Sequence, residues 1–147
     1  MTALFGNAEA QGAFAAALRS GVLHHAWLLV GPQGVGKARF AELAALRMLA
    51  EASASGVTAP GLTVPADHPT RALVEAGSHP DLRILRRLPK DADKPDQDIA
   101  RSISIAQVRS LQPMFATTPS MGARRVVIID AADDLERNGA NALLKNL

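Results

Sequence analysis

Residues 27–38 read Trp-Leu-Leu-Val-Gly-Pro-Gln-Gly-Val-Gly-Lys-Ala. The first four residues are an apolar run, and the glycine-rich segment behind them leads into residues with helical spacing. Glycines let successive backbone N–H groups converge on phosphate oxygens, while the N-terminus of the next helix and Lys37 add positive charge. The stretch therefore predicts a strand over residues 23–30, a phosphate-binding loop, and a helix that runs to about residue 50.

The predicted loop follows the pattern Gly-x-x-x-x-Gly-Lys, but the position after the lysine departs from it. Ser or Thr usually stands there and helps to hold the Mg²⁺ that bridges the terminal phosphates, whereas Ala38 cannot ligate a metal. Phosphate binding and catalysis are therefore separate questions. An ordinary glycine-rich turn is the competing interpretation, and the flanking patterns disfavour it. The predicted nucleotide-binding residues are Gly31, Gln33, Gly34, Val35, Gly36, Lys37 and Ala38.

A second motif is the run Arg-Val-Val-Ile-Ile-Asp at residues 125–130. Continuous β-branched residues predict a parallel strand that is buried on both faces. Ligands of open α/β sheets lie beyond the carboxyl ends of the strands, where Asp130 ends this run. Asp130 is therefore a candidate ligand for the Mg²⁺ of a nucleotide, and the competing interpretation is a simple cap of the next turn.

The remaining pattern is a series of short elements around these two motifs. Residues 51–69 are rich in Ala, Ser, Gly and Pro and predict an irregular insertion to which we assign no chemistry. The charged segment 89–98 predicts a solvated loop. The other predicted elements are a helix over 8–19, a short helix over 71–76, an edge strand over 81–88, a helix after Ser104 that Pro113 kinks or ends, a turn over 119–122, and a last helix from Asn138 with Ala142, Leu143 and Leu147 on or near one face.

The composition predicts one soluble, cytoplasmic domain. A length of 147 residues with 48% hydrophobic residues suffices for one core. Lys and Arg total 16 against 14 Asp and Glu, so the net charge of +2 is weak support for nucleic-acid binding. The chain has no Cys, which excludes disulfides and thiolate zinc sites, and it has neither a membrane-spanning apolar run nor a signal-peptide pattern.

Further sequence blocks accompany the two motifs: residues 23–29 before the loop, Ser-His-Pro-Asp at 78–81, and Asn-Gly-Ala-Asn-Ala-Leu-Leu-Lys at 138–145. Together they resemble the clamp-loader subunits of bacterial DNA polymerase III, in the AAA+ superfamily, over nearly the whole chain. The resemblance implies an α/β fold, a three-layer αβα P-loop NTPase domain with a parallel sheet. Residues 1–147 would be the N-terminal part of that domain, incomplete at the C-terminus. A lid, a collar and a donated arginine would then lie beyond Leu147.

Two departures from the family pattern favour its non-hydrolysing delta-prime branch over the gamma/tau motor subunits. The motor subunits have Ser or Thr at the position of Ala38, and a Glu that polarises water at the position of Ala131. The delta-prime branch implies gamma/tau and delta subunits as partners, with the sliding clamp and primed DNA reached through the complex and no membrane. ATP or ADP with Mg²⁺ is the implied cofactor. Zinc is not expected, since the family's zinc module needs cysteines and His68, His79 and Asp81 are too few ligands.

Two other functions compete with this interpretation. The first is an active ATPase, either the gamma/tau paralogue or another AAA+ enzyme, in which Asp130 alone suffices for Mg²⁺. The second is a scaffold with a vestigial loop that holds no nucleotide and acts through subunit contacts. Direct DNA binding is disfavoured, because the sequence has no basic stripe with interleaved aromatic residues.

Overall fold

A computed structural model of the chain describes residues 6–146, which fall into two compact units. Of the described residues, the first unit contains 6–82 and 119–126, and the second contains 83–118 and 127–146. The elements are helix α1 (Ala8–Arg19), α2 (Lys37–Ala52), α3 (Pro69–Glu75), strand β1 (Leu82–Arg86), α4 (Ile105–Arg109), α5 (Gln112–Ala116), β2 (Val126–Asp130), a 3₁₀ turn (Ala132–Asp134) and α6 (Arg137–Leu144).

The two strands β1 and β2 form a small parallel sheet, so the predicted α/β class with a parallel sheet is confirmed. Ile128 is buried, whereas the other residues of β2 are half-buried. The predicted burial of the whole strand on both faces is therefore wrong. The reason is that, within the described residues, each strand has one neighbouring strand, and an edge strand is less covered than a central one.

The predicted strand over residues 23–30 is not formed in the structure. Leu29 packs against the core, but Leu28 is 76% exposed and Val30 is 84% exposed. An apolar run becomes a strand only when a neighbouring backbone pairs with its N–H and C=O groups. Within residues 6–146 the sheet contains only β1 and β2, so this segment has no place in it.

The first unit is built on the packing of α1 against α2. The prediction of α1 over residues 8–19 is confirmed, and its residues Phe14 and Leu18 pack with Phe40 of α2. The ring of Phe14 makes edge-to-face contacts with Phe40 and Trp27, with ring centroids 5.9 Å and 5.0 Å away. Helix α2 packs on its other side against Val64. Helix α2 is therefore buried by neighbours on two sides.

Residues 53–68, which join α2 to α3, are held by a buried arginine and not by regular secondary structure. The Arg47 guanidinium donates hydrogen bonds to the carbonyl oxygens of Ala59 (2.6 Å) and Thr63 (2.7 Å), and pairs with Glu51 at 2.7 Å. Arg71 donates to the carbonyl oxygen of Pro65 at 3.2 Å. These bonds satisfy backbone carbonyls that an irregular segment would otherwise leave unpaired.

The loop before β1 is tied to the turn before β2 by Asp81, which is 4% exposed. Its carboxylate accepts hydrogen bonds from the backbone N–H groups of Ser120 (2.7 Å) and Met121 (2.8 Å). The Nδ1 atom of buried His79 in turn accepts from the N–H of Asp81 at 3.2 Å. Burial lowers the pKa of His79, and the negative charge of Asp81 opposes this shift.

The second unit has its own core around α4, which packs against α6. Ile103, Val108 and Leu111 are its most buried members. Ser104 begins α4 with the predicted cap, completed as a capping box by Gln107. The predicted helix after Ser104 is two helices, since α5 starts at Gln112 with Pro113 in its first turn. The last helix is also present, and the predicted Leu147 position lies outside the described residues.

The charged segment after β1 is exposed, as its composition predicts, and it folds back on itself. The N–H of Lys90 donates to the Asp98 carbonyl oxygen at 2.7 Å, and that of Ala100 donates to the Leu88 carbonyl oxygen at 2.8 Å. The short antiparallel pairing gives this loop a defined base. Across residues 6–146, we find no helix of the length and apolarity that a bilayer crossing requires.

We expect Arg47→Met to destabilise the chain by about 2–4 kcal/mol, because the variant leaves buried carbonyls and the carboxylate of Glu51 without their donor. Urea unfolding followed by circular dichroism measures this loss. The matched control is Arg19→Met at an exposed position, for which we expect a change within about 0.5 kcal/mol. Equal stability of the two variants would contradict the role of Arg47.

We expect the free energy of unfolding to fall as the pH drops from about 7 to about 5.5, in part because of His79. Its folded pKa lies below its usual value near 6.5, so the unfolded chain binds the proton first and acid favours unfolding. His79→Asn keeps an acceptor for the Asp81 N–H and cannot titrate, so its stability should depend less steeply on pH. Urea titrations across this range test the prediction, and equal slopes would contradict it.

Candidate phosphate-binding site

The predicted phosphate loop lies in the first unit and joins the extended segment 27–30 to α2. The backbone φ angles of Gly34 and Gly36 are 82° and 97°, in the left-handed region that L side chains rarely adopt. A side chain at either position would strain the loop. Glycine is therefore required at these two positions by the backbone path that leads into the helix.

The end of the loop is the N-cap of α2, and Gly36 supplies no side-chain cap to this helix. The first amides of a helix have no intrahelical acceptors, and the helix dipole adds partial positive charge at this end. With 16 residues, α2 is long enough for a developed dipole. The position that follows the loop is thus suited to an anion with oxygen acceptors.

Lys37 is folded back over the loop. Its Nζ atom donates hydrogen bonds to the carbonyl oxygens of Gly31 and Pro32, both at 2.7 Å. An ammonium group makes stronger hydrogen bonds to charged phosphate oxygens than to neutral carbonyls, so it can exchange one for the other. These contacts place the lysine side chain over the loop, and its phosphate contact stays a prediction.

The other predicted residues are brought together by their position in one loop and helix turn. The N–H of Val35 lies 3.5 Å from the Pro32 carbonyl oxygen and closes a turn that contains the exposed Gln33. Ala38 lies in the first turn of α2 and presents only a methyl group. The residues of the loop thus offer donors that fit a phosphate, whereas the side chain at position 38 has no atom that could ligate a metal.

An apolar cleft of about 280 Å³ borders the loop within the first unit. Its lining combines the start of α1 (Asn7, Ala10), the segment with Trp27 and Leu28, and the loop end with Val35 and Lys37. Trp27 is 44% exposed, and it is the single tryptophan of the chain. Its fluorescence therefore reports directly on events at this cleft.

Asp130 ends β2 in the second unit, at the carboxyl end of the strand as predicted, and is half-buried. The 3₁₀ turn that follows carries Asp133 and Asp134. The carboxylate of Asp134 forms an ion pair with Arg87 at 3.3 Å, so this carboxylate already has a structural partner. The phosphate loop belongs to the first unit, so the Mg²⁺ role of Asp130 stays a prediction.

One residue that contacts the loop was missed by the sequence analysis. The side chain of Asn7 donates from Nδ2 to the carbonyl oxygen of Val35 at 3.2 Å. From the sequence, an Asn before a helix indicates a cap, and no spacing rule connects it to a residue 28 positions further along. Only the packing of α1 beside α2 reveals this contact.

The geometry can be compared with known proteins. The family model for the DNA polymerase III delta subunit matches residues 6–147. This chain belongs to that family. The match includes the phosphate loop, both strands and α6, so the DNA polymerase III family covers both units.

Curated relatives carry names from the same polymerase. DNA polymerase III subunit delta' of Pseudomonas aeruginosa is 36% identical over 123 residues, which are 84% of this chain and 33% of that protein. The Bacillus subtilis protein of the same name is 33% identical over 126 residues, 85% of this chain and 32% of that protein. DNA polymerase III subunit gamma of Buchnera aphidicola is 29% identical over 127 residues, 86% of this chain and 30% of that protein. The chain thus spans about a third of the length of these relatives.

Proposed function

We propose that this chain is the nucleotide-holding part of a non-hydrolysing, delta-prime-type clamp-loader subunit that acts in DNA replication in the cytoplasm. The observation that supports the proposal is a glycine-rich loop that ends at the N-terminus of α2, with Lys37 folded over it and an alanine at position 38. The finer fold we propose is the three-layer AAA+ P-loop domain, of which these residues form the N-terminal part.

Nucleotide binding rests on groups that do not need a metal. The first amides of α2 face away from the helix and offer donors to phosphate oxygens. Lys37 exchanges its hydrogen bonds to Gly31 and Pro32 for a charge-assisted bond to phosphate. The phosphates of ATP and of ADP both carry the negative charge that complements these donors. The loop therefore holds the phosphates of either nucleotide.

Weak hydrolysis follows from the two alanines. Phosphoryl transfer depends on Mg²⁺ that neutralises the phosphates and on a group that orients the attacking water. Ala38 removes the hydroxyl that would share the metal, and Ala131 stands where a water-activating carboxylate would follow Asp130. Losing both functions leaves binding largely intact while it removes two separate contributions to catalysis.

The proposed partners are the gamma/tau and delta subunits of the clamp loader, with the sliding clamp and primed DNA reached through the assembled complex. The names of the relatives support this assignment, because two are delta' subunits and one is a gamma subunit of DNA polymerase III. The matches to both delta' and gamma proteins agree with a domain that these subunits share.

We expect ADP and ATP to bind this chain and Lys37→Ala to weaken the affinity at least about ten-fold, through the loss of the charged contact to phosphate. Isothermal titration calorimetry measures the affinity, and phosphate release on the same samples measures turnover. The control is Lys90→Ala, which removes the same charge from the second unit and should keep wild-type affinity. Circular dichroism verifies that each sample is folded.

Each result of this experiment decides between the candidate functions. Binding that depends on Lys37 without turnover supports a nucleotide-holding subunit. Turnover that is abolished by Lys37→Ala would show an active ATPase and would overturn the argument from Ala38 and Ala131. A folded chain that binds neither nucleotide would leave the scaffold with a vestigial loop.

We propose Asp130 as the carboxylate that helps to hold Mg²⁺, and Asp130→Asn tests this assignment. The substitution keeps the size of the side chain and removes the charge that attracts the metal. We expect the gain in ADP affinity on adding Mg²⁺ to fall at least about five-fold, with little change in its absence. Calorimetry with Mg²⁺ and with EDTA provides both values, and Asp133→Asn on the exposed turn is the control. An unchanged Mg²⁺ effect would contradict the assignment.

A further inference from the structure

We propose that Asn7 is a positioning residue for the phosphate loop, which holds the peptide between Val35 and Gly36 so that the Gly36 N–H faces the bound anion. The inference rests on the proposed function, because the anion in question is a phosphate of the nucleotide. Asn7 does not itself contact the phosphate in this arrangement. It acts through the backbone of the loop.

The Asn7 side chain contacts the loop and does not cap its own helix. Asn7 occupies the N-cap position of α1, where an Asn side chain commonly accepts a hydrogen bond from a free helix amide. Here it makes no such bond, and Nδ2 donates to the Val35 carbonyl oxygen at 3.2 Å. A residue type suited to capping therefore serves a contact with the loop.

The backbone of Asn7 has a left-handed conformation. Its φ and ψ angles are 54° and 33°, and no other non-glycine residue of the described part has a positive φ. Asn tolerates this region better than most residues, though it still costs energy. On either side, the side chain of Gln11 donates to the Gly6 carbonyl oxygen at 2.8 Å, and its N–H donates to the Asn7 carbonyl oxygen at 3.0 Å. Helix α1 thus holds Asn7 in an uncommon conformation.

The hydrogen bond from Asn7 also sets the orientation of the peptide group between Val35 and Gly36. In a trans peptide the carbonyl of one residue and the N–H of the next point to opposite sides. Asn7 draws the Val35 carbonyl to its own side, so the Gly36 N–H points to the other side of the loop. Gly36 has no Cβ, and its φ of 97° lies where glycine rotates freely, so this peptide could turn over without such a contact. An inverted peptide would present a carbonyl oxygen to the phosphate and repel it.

The hydrogen bond between Asn7 and Val35 need not break when a phosphate binds, unlike those of Lys37. Lys37 holds the carbonyl oxygens of Gly31 and Pro32, and it leaves both to reach a phosphate. Asn7 carries no charge and keeps its bond to Val35 throughout. A loop that is already oriented loses less conformational freedom on binding, so a contact outside the anion site raises the affinity.

Two substitutions at Asn7 remove the donor in different ways. Asn7→Gly tolerates the positive φ and loses the side chain, and no cap bond is lost because Asn7 makes none. Asn7→Asp keeps the shape and places an oxygen where Nδ2 donated. The control is Ser20→Ala at the other end of α1, which removes an exposed side-chain bond to the Ala17 carbonyl oxygen.

We expect both variants to melt within about 3 °C of wild type, because the lost bond is solvent-exposed. ADP affinity measured by calorimetry should fall about five-fold, and Ser20→Ala should retain it. The readout that a merely structural role would not move is ¹⁵N relaxation of the loop amides without nucleotide. We expect the amides of Gly34 and Gly36 to become more mobile in both Asn7 variants and to stay unchanged in the control.

The two measurements separate the two hypotheses. Unchanged relaxation of the loop amides in both variants would overturn the role of Asn7, whatever the nucleotide affinity. Unchanged ADP affinity in variants with a mobile loop would overturn the proposed orientation of the Gly36 N–H toward the anion. A wild-type chain without nucleotide affinity would overturn the proposed function and the anion contact with it, while a more mobile loop would still support the hold of Asn7 on Val35.

Discussion

The burial of α2 between neighbours on both sides is the constraint on which the first unit depends. Phe40 and Ala44 face α1, while Leu46 and Ala50 face Val64 and the segment before α3. Leu46 and Ala50 have no exposed surface, so α2 cannot shift along its axis without opening cavities. Because the phosphate loop ends where α2 begins, the packing of the helix also fixes the position of the loop.

Where the chain is irregular, buried polar side chains make the hydrogen bonds to backbone groups that helices and sheets make elsewhere. Arg47 binds carbonyls at positions 59 and 63, and Asp81 binds N–H groups at positions 120 and 121. Charged groups make stronger hydrogen bonds than neutral ones, and they can satisfy two backbone groups at once. Within residues 6–146, these bonds hold connections that strand pairing does not reach.

In the proposed site, the groups that would bind phosphate are separate from those that would catalyse its transfer. The proposed phosphate binding depends on the backbone conformation of the loop glycines, on the N-terminus of α2 and on Lys37. All of these belong to the first unit. By the resemblance to the clamp-loader family, a hydroxyl that shares the metal and a carboxylate that activates water would stand at positions 38 and 131, where this chain has alanine. The family membership and the delta' names of relatives connect the chain to DNA polymerase III and do not depend on either of these properties.

The sequence by itself predicted the glycine-rich turn before α2, the bounds of α1, strands at the positions of β1 and β2, and the cap at Ser104, since each depends on neighbours within a few positions. It gave the wrong result for residues 23–30, because an apolar run does not reveal whether a pairing strand is present. Only the tertiary structure decided that Asn7 reaches Val35 and that Asp81 reaches Met121, across 28 and 40 positions of chain. Local patterns encode backbone preferences, whereas such contacts exist only after packed helices have brought distant segments together.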